Sequence, residues 1–492
     1  MTQAVVGTFA LSGVEALPVE VQADVGPGLP TFAIVGLGDA AVLEARDRVR
    51  AAVRASGFEF PSARIVVNLA PAPLRKHGTA FDLPIALAIL AATGQVSALA
   101  LAGVRAVGEL ALDGRLRPVP GALAHAVCAV TRKEAIVGPA DTVCATAVVP
   151  GLVYHAARHL GAFRTGLPDV RCSRPLEVVS SPRSPDLSEV AGQDSAKRAL
   201  EIAAAGGHNL LFVGPPGAGK TMLARRLPGI LPPLDPAEAL DTAVVHSVAG
   251  LDETSVLRGA RPFRSPHHTT GAAGLVGGGT PPLPGEASLA HNGVLFLDEL
   301  AEFGPAALQA LRQPMEDGVI RLVRAEGRVV YPARFALVAA MNPCPCGFLG
   351  DTPARCTCTD AVIARYARRV GGPLMDRIDL CLRVDRIDPE ALLGARVGES
   401  SAAVRERVVA ARGFAWARGG PSCGLSGRHL LETCSMSRAA RKAIADCSRA
   451  YQLSGRGVTR LLRVARTVAD LSSSGAVAEE HVLEAAAYRS AL

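Results

Sequence analysis

The sequence predicts an α/β protein of several domains, with α+β structure at the start, a P-loop α/β core in the middle and helices at the end. Three observations carry this prediction. The chain has 492 residues, which is too long for one hydrophobic core. Its first 70 residues contain several short apolar runs with strand-like alternation. Further along, the apolar run Leu210–Val213 leads directly into a glycine-rich loop and then a helical pattern.

Composition places the chain among ordinary globular proteins. Hydrophobic residues make up 49% and charged residues 20% of the chain. The net charge of +7 permits a polyanionic partner without requiring one. No signal-peptide pattern opens the chain, so we expect a cytoplasmic protein. Residues 83–104 carry no charge, but Gly94 lies in a turn-like stretch in their middle. We therefore expect two buried elements and no membrane span.

The N-terminal region contains strand and helix patterns in alternation. Apolar positions recur at helical spacing between residues 40 and 53, Phe81–Thr93 predicts a buried helix, and Asp113-Gly114 predicts a hairpin turn. The predicted strands are Val5–Leu11, Pro18–Val25, Thr31–Leu37 and Arg64–Pro71.

Three segments of this region resemble the N-terminal domain of the YifB/ComM family of magnesium-chelatase-like AAA+ ATPases. They are TFAIVGLGDAAVLEARDRVRAA, VNLAPAPLRKHGTAFDLPIALAIL and GELALDGRLRPVPGAL. The resemblance implies a Lon-protease-like α+β domain over residues 1–175. Lon-type proteases use a Ser–Lys dyad, but here Thr79 stands at the serine position, and no lysine lies between Lys76 and Lys133. We therefore expect the fold without proteolysis, with Thr79 as the alternative nucleophile.

A linker rich in Ser and Pro is predicted over residues 176–188, and the P-loop domain over 189–390. The loop after Val213 fits the pattern G-x-x-x-x-G-K-[ST] in full. Backbone N–H groups of such a loop bind a phosphate chain, Lys220 reaches the β- and γ-phosphates, and Thr221 binds Mg²⁺. The sequence therefore predicts ATP and Mg²⁺ as cofactors. The predicted ATP-binding residues are Gly214, Pro215, Pro216, Gly217, Ala218, Gly219, Lys220 and Thr221.

Two acidic residues and an asparagine complete the expected catalytic set. The apolar run Gly293–Leu297 ends in Asp298 and Glu299. We expect Asp298 to hold Mg²⁺ through water and Glu299 to act as the general base on the attacking water. Asn342 ends a further apolar strand, and its position resembles that of the sensor-1 residue of AAA+ proteins.

Three arginines are assigned by resemblance. The segment GGPLMDRIDL resembles the one that carries the arginine finger in the chelatase and MCM-like branch, which points to Arg377 acting on the ATP of a neighbouring subunit. The alternative is an ion pair with Asp376 or Asp379. Arg460 resembles sensor 2, with Arg463 as the second candidate, and both also fit charges on a helix surface. The last domain, a helical lid, is predicted over residues 391–492. A finger that acts on a neighbour implies a homo-oligomeric ring, most often a hexamer.

A second hairpin is predicted between two runs rich in β-formers, with its turn at Glu326-Gly327. In related helicases a hairpin at this position enters the central pore and contacts nucleic acid. Arg321, Arg324 and Arg328 are therefore the candidate DNA contacts, with a solvated hairpin as the alternative. For the adjacent pair His267 and His268, we expect a structural or pore-facing role rather than metal binding.

Four of the eleven cysteines form two Cys-x-Cys pairs, Cys344 with Cys346 and Cys356 with Cys358. In a cytosolic chain such thiols are reduced or bind metal. Four soft ligands suit structural Zn²⁺, and buried free cysteines are the alternative.

The resemblance to the YifB/ComM family covers nearly the whole chain. It implies an ATP-hydrolysing ring motor on branched or single-stranded DNA, of the kind found in ComM-type branch-migration helicases of homologous recombination. The alternatives are a magnesium-chelatase motor subunit, a Lon-like protease and an ATP-gated scaffold. The complete hydrolytic set disfavours the scaffold.

Overall fold

Two β-sheets organise the chain in the computed structural model. The structure describes residues 2–169, 185–324, 327–351, 356–387, 398–425 and 427–489. Most of the predicted linker and the predicted boundary at residue 390 lie outside these ranges. Among the described residues, no helix has the length and apolar character that crossing a membrane requires.

A seven-stranded mixed sheet forms the N-terminal part, in the order β3-β4-β2-β1-β5-β8-β9. The four predicted strands are confirmed, because each has apolar residues at the strand period. The predicted helix is confirmed as well, and it is buried on nearly all sides. The strands are β1 (Thr2–Ser12), β2 (Glu15–Gly26), β3 (Thr31–Val35), β4 (Arg64–Ala70), β5 (Val104–Ala106), β6 (Glu109–Leu110), β7 (Leu116–Arg117), β8 (Ala135–Pro139) and β9 (Tyr154–Ala157). The helices are α1 (Ala40–Ala55), α2 (Asp82–Ala92), α3 (Ala122–Thr131) and α4 (Val143–Thr146).

A five-stranded parallel sheet forms the second part, in the order β11-β12-β15-β10-β16. In such a sheet the carboxyl ends of the strands share one edge, where ligand sites form. A separate antiparallel hairpin, β13-β14, stands beside it. The strands are β10 (Leu210–Val213), β11 (Phe263–Arg264), β12 (Gly293–Leu297), β13 (Val319–Arg324), β14 (Gly327–Pro332), β15 (Phe335–Met341) and β16 (Leu380–Arg383).

Short helices connect these strands. Residues 305–317 form two helices in place of one, because Pro314 lacks an N–H and its ring clashes with the carbonyl four residues back. The helices are α5 (Asp194–Gly206), α6 (Lys220–Ala224), α7 (Leu227–Ile230), α8 (Pro236–Val248), α9 (Thr254–Leu257), α10 (Ala272–Val276), α11 (Glu286–Leu289), α12 (Pro305–Ala310), α13 (Arg312–Asp317), α14 (Asp360–Val370) and α15 (Gly372–Met375).

The C-terminal helices share a hydrophobic core with the parallel sheet: Leu461 and Val468 belong to one buried cluster with Phe212. Buried His208 reinforces this packing. Its Nδ1 lies 3.1 Å from Oδ2 of Asp379, and its Nε2 lies 2.7 Å from Oγ1 of Thr467. The helices are α16 (Ser401–Trp416), α17 (Gly427–Cys434), α18 (Arg438–Ala450), α19 (Gly455–Leu471) and α20 (Glu479–Ala487).

The N-terminal part packs directly on the second part through α3 and α8. Leu123 of α3 and Ala243 of α8 belong to one buried hydrophobic cluster. The N–H of Gly121 donates to the carbonyl of Ser247 at 2.8 Å. Gly13, in the turn between β1 and β2, has a φ of +66°, and a Cβ there would lie 2.6 Å from Cγ1 of Val329. The hairpin β13-β14 therefore touches the N-terminal part as well.

Candidate active site

The glycine-rich loop lies between β10 and α6, at the carboxyl edge of the parallel sheet. Gly217 and Gly219 have φ values of +82° and +86°, which glycine adopts without strain. A Cβ at either position would meet nothing within 4 Å, so the loop encloses open space. This space continues into a cavity of about 360 Å³, lined by residues 216–222, Asp298, Glu299, Met341 and Asn342.

Thr221 and Asp298 come together at the base of this cavity. Oγ1 of Thr221 donates to Oδ2 of Asp298 at 2.7 Å. A hydroxyl and a carboxylate are hard oxygen ligands of the kind Mg²⁺ prefers. Because Asp298 follows β12 and Thr221 lies in α6, the two elements bring the pair together without rearrangement. The site fits Mg²⁺ bound to the phosphates of a nucleotide, and the ion would neutralise charge on them.

Lys220 and Asn342 meet on the other side of the loop. Nζ of Lys220 donates to the carbonyls of Gly214 and Pro215 at 2.6 and 2.9 Å and to Oδ1 of Asn342 at 3.1 Å. Burial lowers the pKa of Lys220, while the nearby charges of Asp298 and Glu299 act in the opposite direction. The ammonium group thus has hydrogen-bond acceptors that a phosphate chain can replace.

Glu299 follows Asp298 in the left-handed region, with a φ of +52°. This conformation is uncommon for a residue other than glycine and is typical of functional turns. Its carboxylate contacts an unexpected partner, because Nδ1 of His268 lies 3.0 Å from Oε2 of Glu299. The expected structural or pore-facing role of the histidine pair did not include this contact. The contact joins residues 31 positions apart, so no local spacing could reveal it.

Arg377, Arg460 and Arg463 line a different cavity, of about 800 Å³. This cavity shares no lining residue with the one at the glycine-rich loop. The guanidinium of Arg377 pairs with Glu316 and donates to the carbonyl of Pro373. The alternative for Arg377 was an ion pair with Asp376 or Asp379. The carboxylates of these two residues contact other groups instead.

Asp376 contacts Nη2 of Arg460 at 3.3 Å, and Asp379 contacts His208. Arg460 also donates to the carbonyls of Met375 and Ile378, and it is 8% exposed. The alternative for Arg460, a charge on the helix surface, is therefore wrong. Nε of Arg463 donates to the carbonyl of Leu425 at 2.7 Å.

The predicted hairpin is present as β13-β14, while Glu326 of its predicted turn lies outside the described residues. Arg321 is opposite Val330, and Arg328 is opposite Val323, so these four residues share one face. That face is exposed to solvent. Nη1 of Arg321 lies 2.7 Å from Oδ2 of Asp317. Arg324 ends β13, opposite Gly327.

In the N-terminal part, Thr79, which stands at the serine position of the Lon-type dyad, contacts a carboxylate. Oγ1 of Thr79 donates to Oε2 of Glu109 at 2.5 Å. Lys76 is fully buried, its ammonium group donates to the carbonyl of Pro71, and burial lowers its pKa.

Comparison with known proteins places this site in a family. Three protein-family models match the chain. The one described as "Magnesium chelatase, subunit ChlI" matches residues 186–392, "Subunit ChlI of Mg-chelatase" matches 21–142, and "Magnesium chelatase, subunit ChlI C-terminal" matches 398–489. The chain is 44% identical to the uncharacterized protein YifB of Salmonella typhimurium, over 99% of this chain and 97% of the relative. The chain belongs to the YifB/ComM family of magnesium-chelatase-like AAA+ proteins.

Two further relatives widen the comparison. The competence protein ComM of Haemophilus influenzae is 42% identical, over 99% of this chain and 98% of the relative. Lon protease 2 of Bacillus subtilis is 29% identical over 30% of this chain. Membership of this AAA+ family implies ATP and Mg²⁺ as ligands, in agreement with the residues at the glycine-rich loop.

Proposed function

We propose that the protein is a cytoplasmic ATPase that assembles into a homo-oligomeric ring, most simply a hexamer, and moves DNA strands as a branch-migration helicase. The observation that carries the ATPase is the preassembled group of Lys220, Thr221, Asp298 and Asn342 around one cavity. Residues 1–175, 189–390 and 391–492 serve as the N-terminal, ATPase and lid domains, joined across 176–188.

Hydrolysis begins with ATP on the glycine-rich loop, where Lys220 leaves its carbonyl partners for the phosphates. Glu299 accepts a proton from the attacking water as general base. Asn342, which contacts Lys220, orients the γ-phosphate. Thr221 and Asp298 would hold Mg²⁺, and the ion would supply positive charge that neutralises the phosphates.

Arg377 acts on the ATP of a neighbouring subunit. The support is that its cavity is separate from the P-loop cavity of its own chain. Arg460 and Arg463 line the same cavity as Arg377, so we propose that they also serve the neighbour's nucleotide. An active site completed by a second subunit requires the ring.

DNA is the partner that we propose for the exposed face of the hairpin β13-β14. Arg321 and Arg328 project from this face, and arginine binds phosphate bidentately. The printed name of the Haemophilus influenzae relative, a competence protein, agrees with a role on incoming DNA.

The chelatase alternative keeps specific support, because three family models carry magnesium-chelatase descriptions. One of them matches residues 21–142, within the N-terminal part. A chelatase motor would hydrolyse ATP with no response to DNA. The contacts of Lys76 and Thr79 give no support to a protease.

Strand exchange on a three-way DNA junction tests the proposal, with wild type and Glu299→Gln compared. We expect wild type with ATP to exchange strands, and Glu299→Gln to bind ATP and DNA without exchange. The general base contributes about 10²- to 10⁴-fold to hydrolysis, and the glutamine variant should lose that factor. If wild type shows neither strand exchange nor DNA-stimulated hydrolysis, the helicase proposal is rejected, whereas the ATPase proposal is unaffected.

A further inference from the structure

Four cysteine sulfur atoms converge just after β15. Sγ of Cys344 lies 3.3 Å from Sγ of Cys346 and 3.7 Å from Sγ of Cys356, and the sulfurs of Cys346 and Cys356 are 3.6 Å apart. With Cys358 included, all four sulfurs lie within 4.8 Å of one another. We refer to these four residues as the cysteine cluster.

The separations fit one tetrahedral metal ion. Four sulfurs at a Zn–S distance of about 2.3 Å lie roughly 3.8 Å from one another. A disulfide would bring two of them to about 2.05 Å. An iron–sulfur cluster would spread its four ligands around several metal atoms. We propose that the cysteine cluster binds one Zn²⁺ ion through four thiolates.

The surroundings of the cysteine cluster suit thiolate ligands. Cys344 is completely buried. Backbone N–H groups of Phe348 and Thr357 donate hydrogen bonds to Cys346. The N–H of Cys358 donates to Sγ of Cys356 at 3.4 Å. Such N–H···S hydrogen bonds stabilise the deprotonated ligands of a metal site.

The cysteine cluster also lies against the ATP-binding loop. Gly347, between the two pairs, has a φ of +88°, and a Cβ there would lie 2.8 Å from Cδ of Pro216 and 3.9 Å from Cγ of Asn342. Nη2 of Arg383 donates to the carbonyls of Leu349 and Gly350 at 3.1 and 2.7 Å. The segment thus packs tightly between the glycine-rich loop and the end of β16.

The cysteine cluster connects the two halves of the proposed active site. Cys344 lies two residues after Asn342, and Cys358 lies two residues before α14, the helix that leads through α15 to Arg377. One ion would therefore fix the end of β15 to the start of α14. Zn²⁺ holds Asn342 and Arg377 in place as a structural ion, a consequence that rests on the proposed function.

Metal analysis of the full-length protein tests the site without ATP or DNA. We expect one zinc per chain, and X-ray absorption should give four sulfur neighbours at about 2.3 Å. Cys356→Ser with Cys358→Ser should lose the zinc, whereas Cys144→Ser, at an exposed cysteine elsewhere, should keep it. A mercurial reagent should release the wild-type zinc, so the result does not depend on how the variants fold.

Either of two outcomes overturns the proposal: wild type without stoichiometric metal, or a coloured mononuclear iron site in place of zinc. The functional consequence has its own readout. After mercurial release of zinc, kcat for ATP hydrolysis should fall about 10-fold or more while ATP binding persists. If zinc is present and its release leaves kcat unchanged, the metal site stands and its role in positioning Asn342 and Arg377 is rejected. If zinc is present and the protein hydrolyses no ATP at all, the proposed function fails and the metal site stands.

Discussion

Nδ1 of His268 lies 3.0 Å from Oε2 of Glu299, so the segment before α10 contacts the carboxylate that we propose as general base. We propose that this contact positions the carboxylate of Glu299. We predict that His268→Ala lowers kcat for ATP hydrolysis roughly 10-fold, which is less than the 10²- to 10⁴-fold expected for loss of the base itself. KM for ATP should change little, because His268 does not line the ATP cavity.

His267→Ala is the matched control, because Nδ1 of His267 contacts Oγ1 of Thr269 instead. Steady-state kinetics of both variants separate kcat from KM. An unchanged kcat in His268→Ala would show that the contact has no catalytic role.

Asp298→Asn should raise the Mg²⁺ concentration needed for half-maximal hydrolysis by about 10- to 100-fold. The reason is that the amide keeps the shape of the side chain but removes the charge beside Thr221. A titration of Mg²⁺ at fixed ATP measures this shift. Exposed Asp446 provides the control, and Asp446→Asn should leave the titration unchanged. An equal shift in both variants would contradict a magnesium role for Asp298.

Arg377→Ala should reduce ATP hydrolysis about 10³-fold or more, the range for arginine fingers. Mixing this variant with Lys220→Ala subunits should restore part of the activity. Some interfaces in the mixture then combine an intact P-loop from one variant with an intact Arg377 from the other. Glu316→Gln removes only the ion-pair partner of Arg377 and should remain active. If the two variants exchange subunits but the mixture regains no activity, Arg377 does not act on the ATP of a neighbouring subunit.

Arg321→Ala combined with Arg328→Ala should weaken DNA binding at all sequences. Because each phosphate contact contributes about one unit to the salt dependence, the slope of log K against log salt should fall by about 2 per engaged hairpin. DNA stimulation of hydrolysis should be lost while basal hydrolysis persists. Arg441→Ala, on exposed α18, is the control. Unaltered DNA affinity in the double variant would assign DNA binding to another surface.

Burial lowers the pKa of His125 to about 4, against 6.5 for an ordinary histidine. The unfolded chain therefore binds the proton more readily than the folded chain. The free energy of unfolding therefore has its full value above pH 6.5, and it decreases by about 3 kcal/mol in total as the pH falls toward 4. Chemical denaturation measures the free energy of unfolding at pH 7.0 and at pH 4.5. The difference between the two values should be smaller for His125→Leu than for wild type. Exposed His429, changed to leucine, should keep the full difference.

The strands and the P-loop group were predictable because their signals are local. In β1 and β2, alternating apolar residues predicted one buried face. Gly214, Asp298 and Asn342 each follow an apolar run, and these runs are neighbouring strands of the parallel sheet. A parallel sheet brings such ends together whatever the intervening length.

Long-range contacts were not predictable. The pairing of Arg377 with Glu316, the burial of Arg460 and the contact of His268 with Glu299 depend on how separate elements pack. A charged residue in an amphipathic helix has the same local pattern whether it faces water or the carbonyls of another helix. The shared core of the C-terminal helices and the parallel sheet escaped prediction for the same reason.

The packing of α3 on α8, with Gly121 bonded to Ser247, has a mechanical consequence. The N-terminal part does not hang on a free tether, because α3 shares a buried hydrophobic cluster with α8 of the second part. With Gly13 against Val329, the N-terminal part also contacts the middle of the arginine-bearing hairpin. In the proposed motor, the N-terminal domain would therefore move together with its ATPase domain and would support the hairpin that we propose to bind DNA.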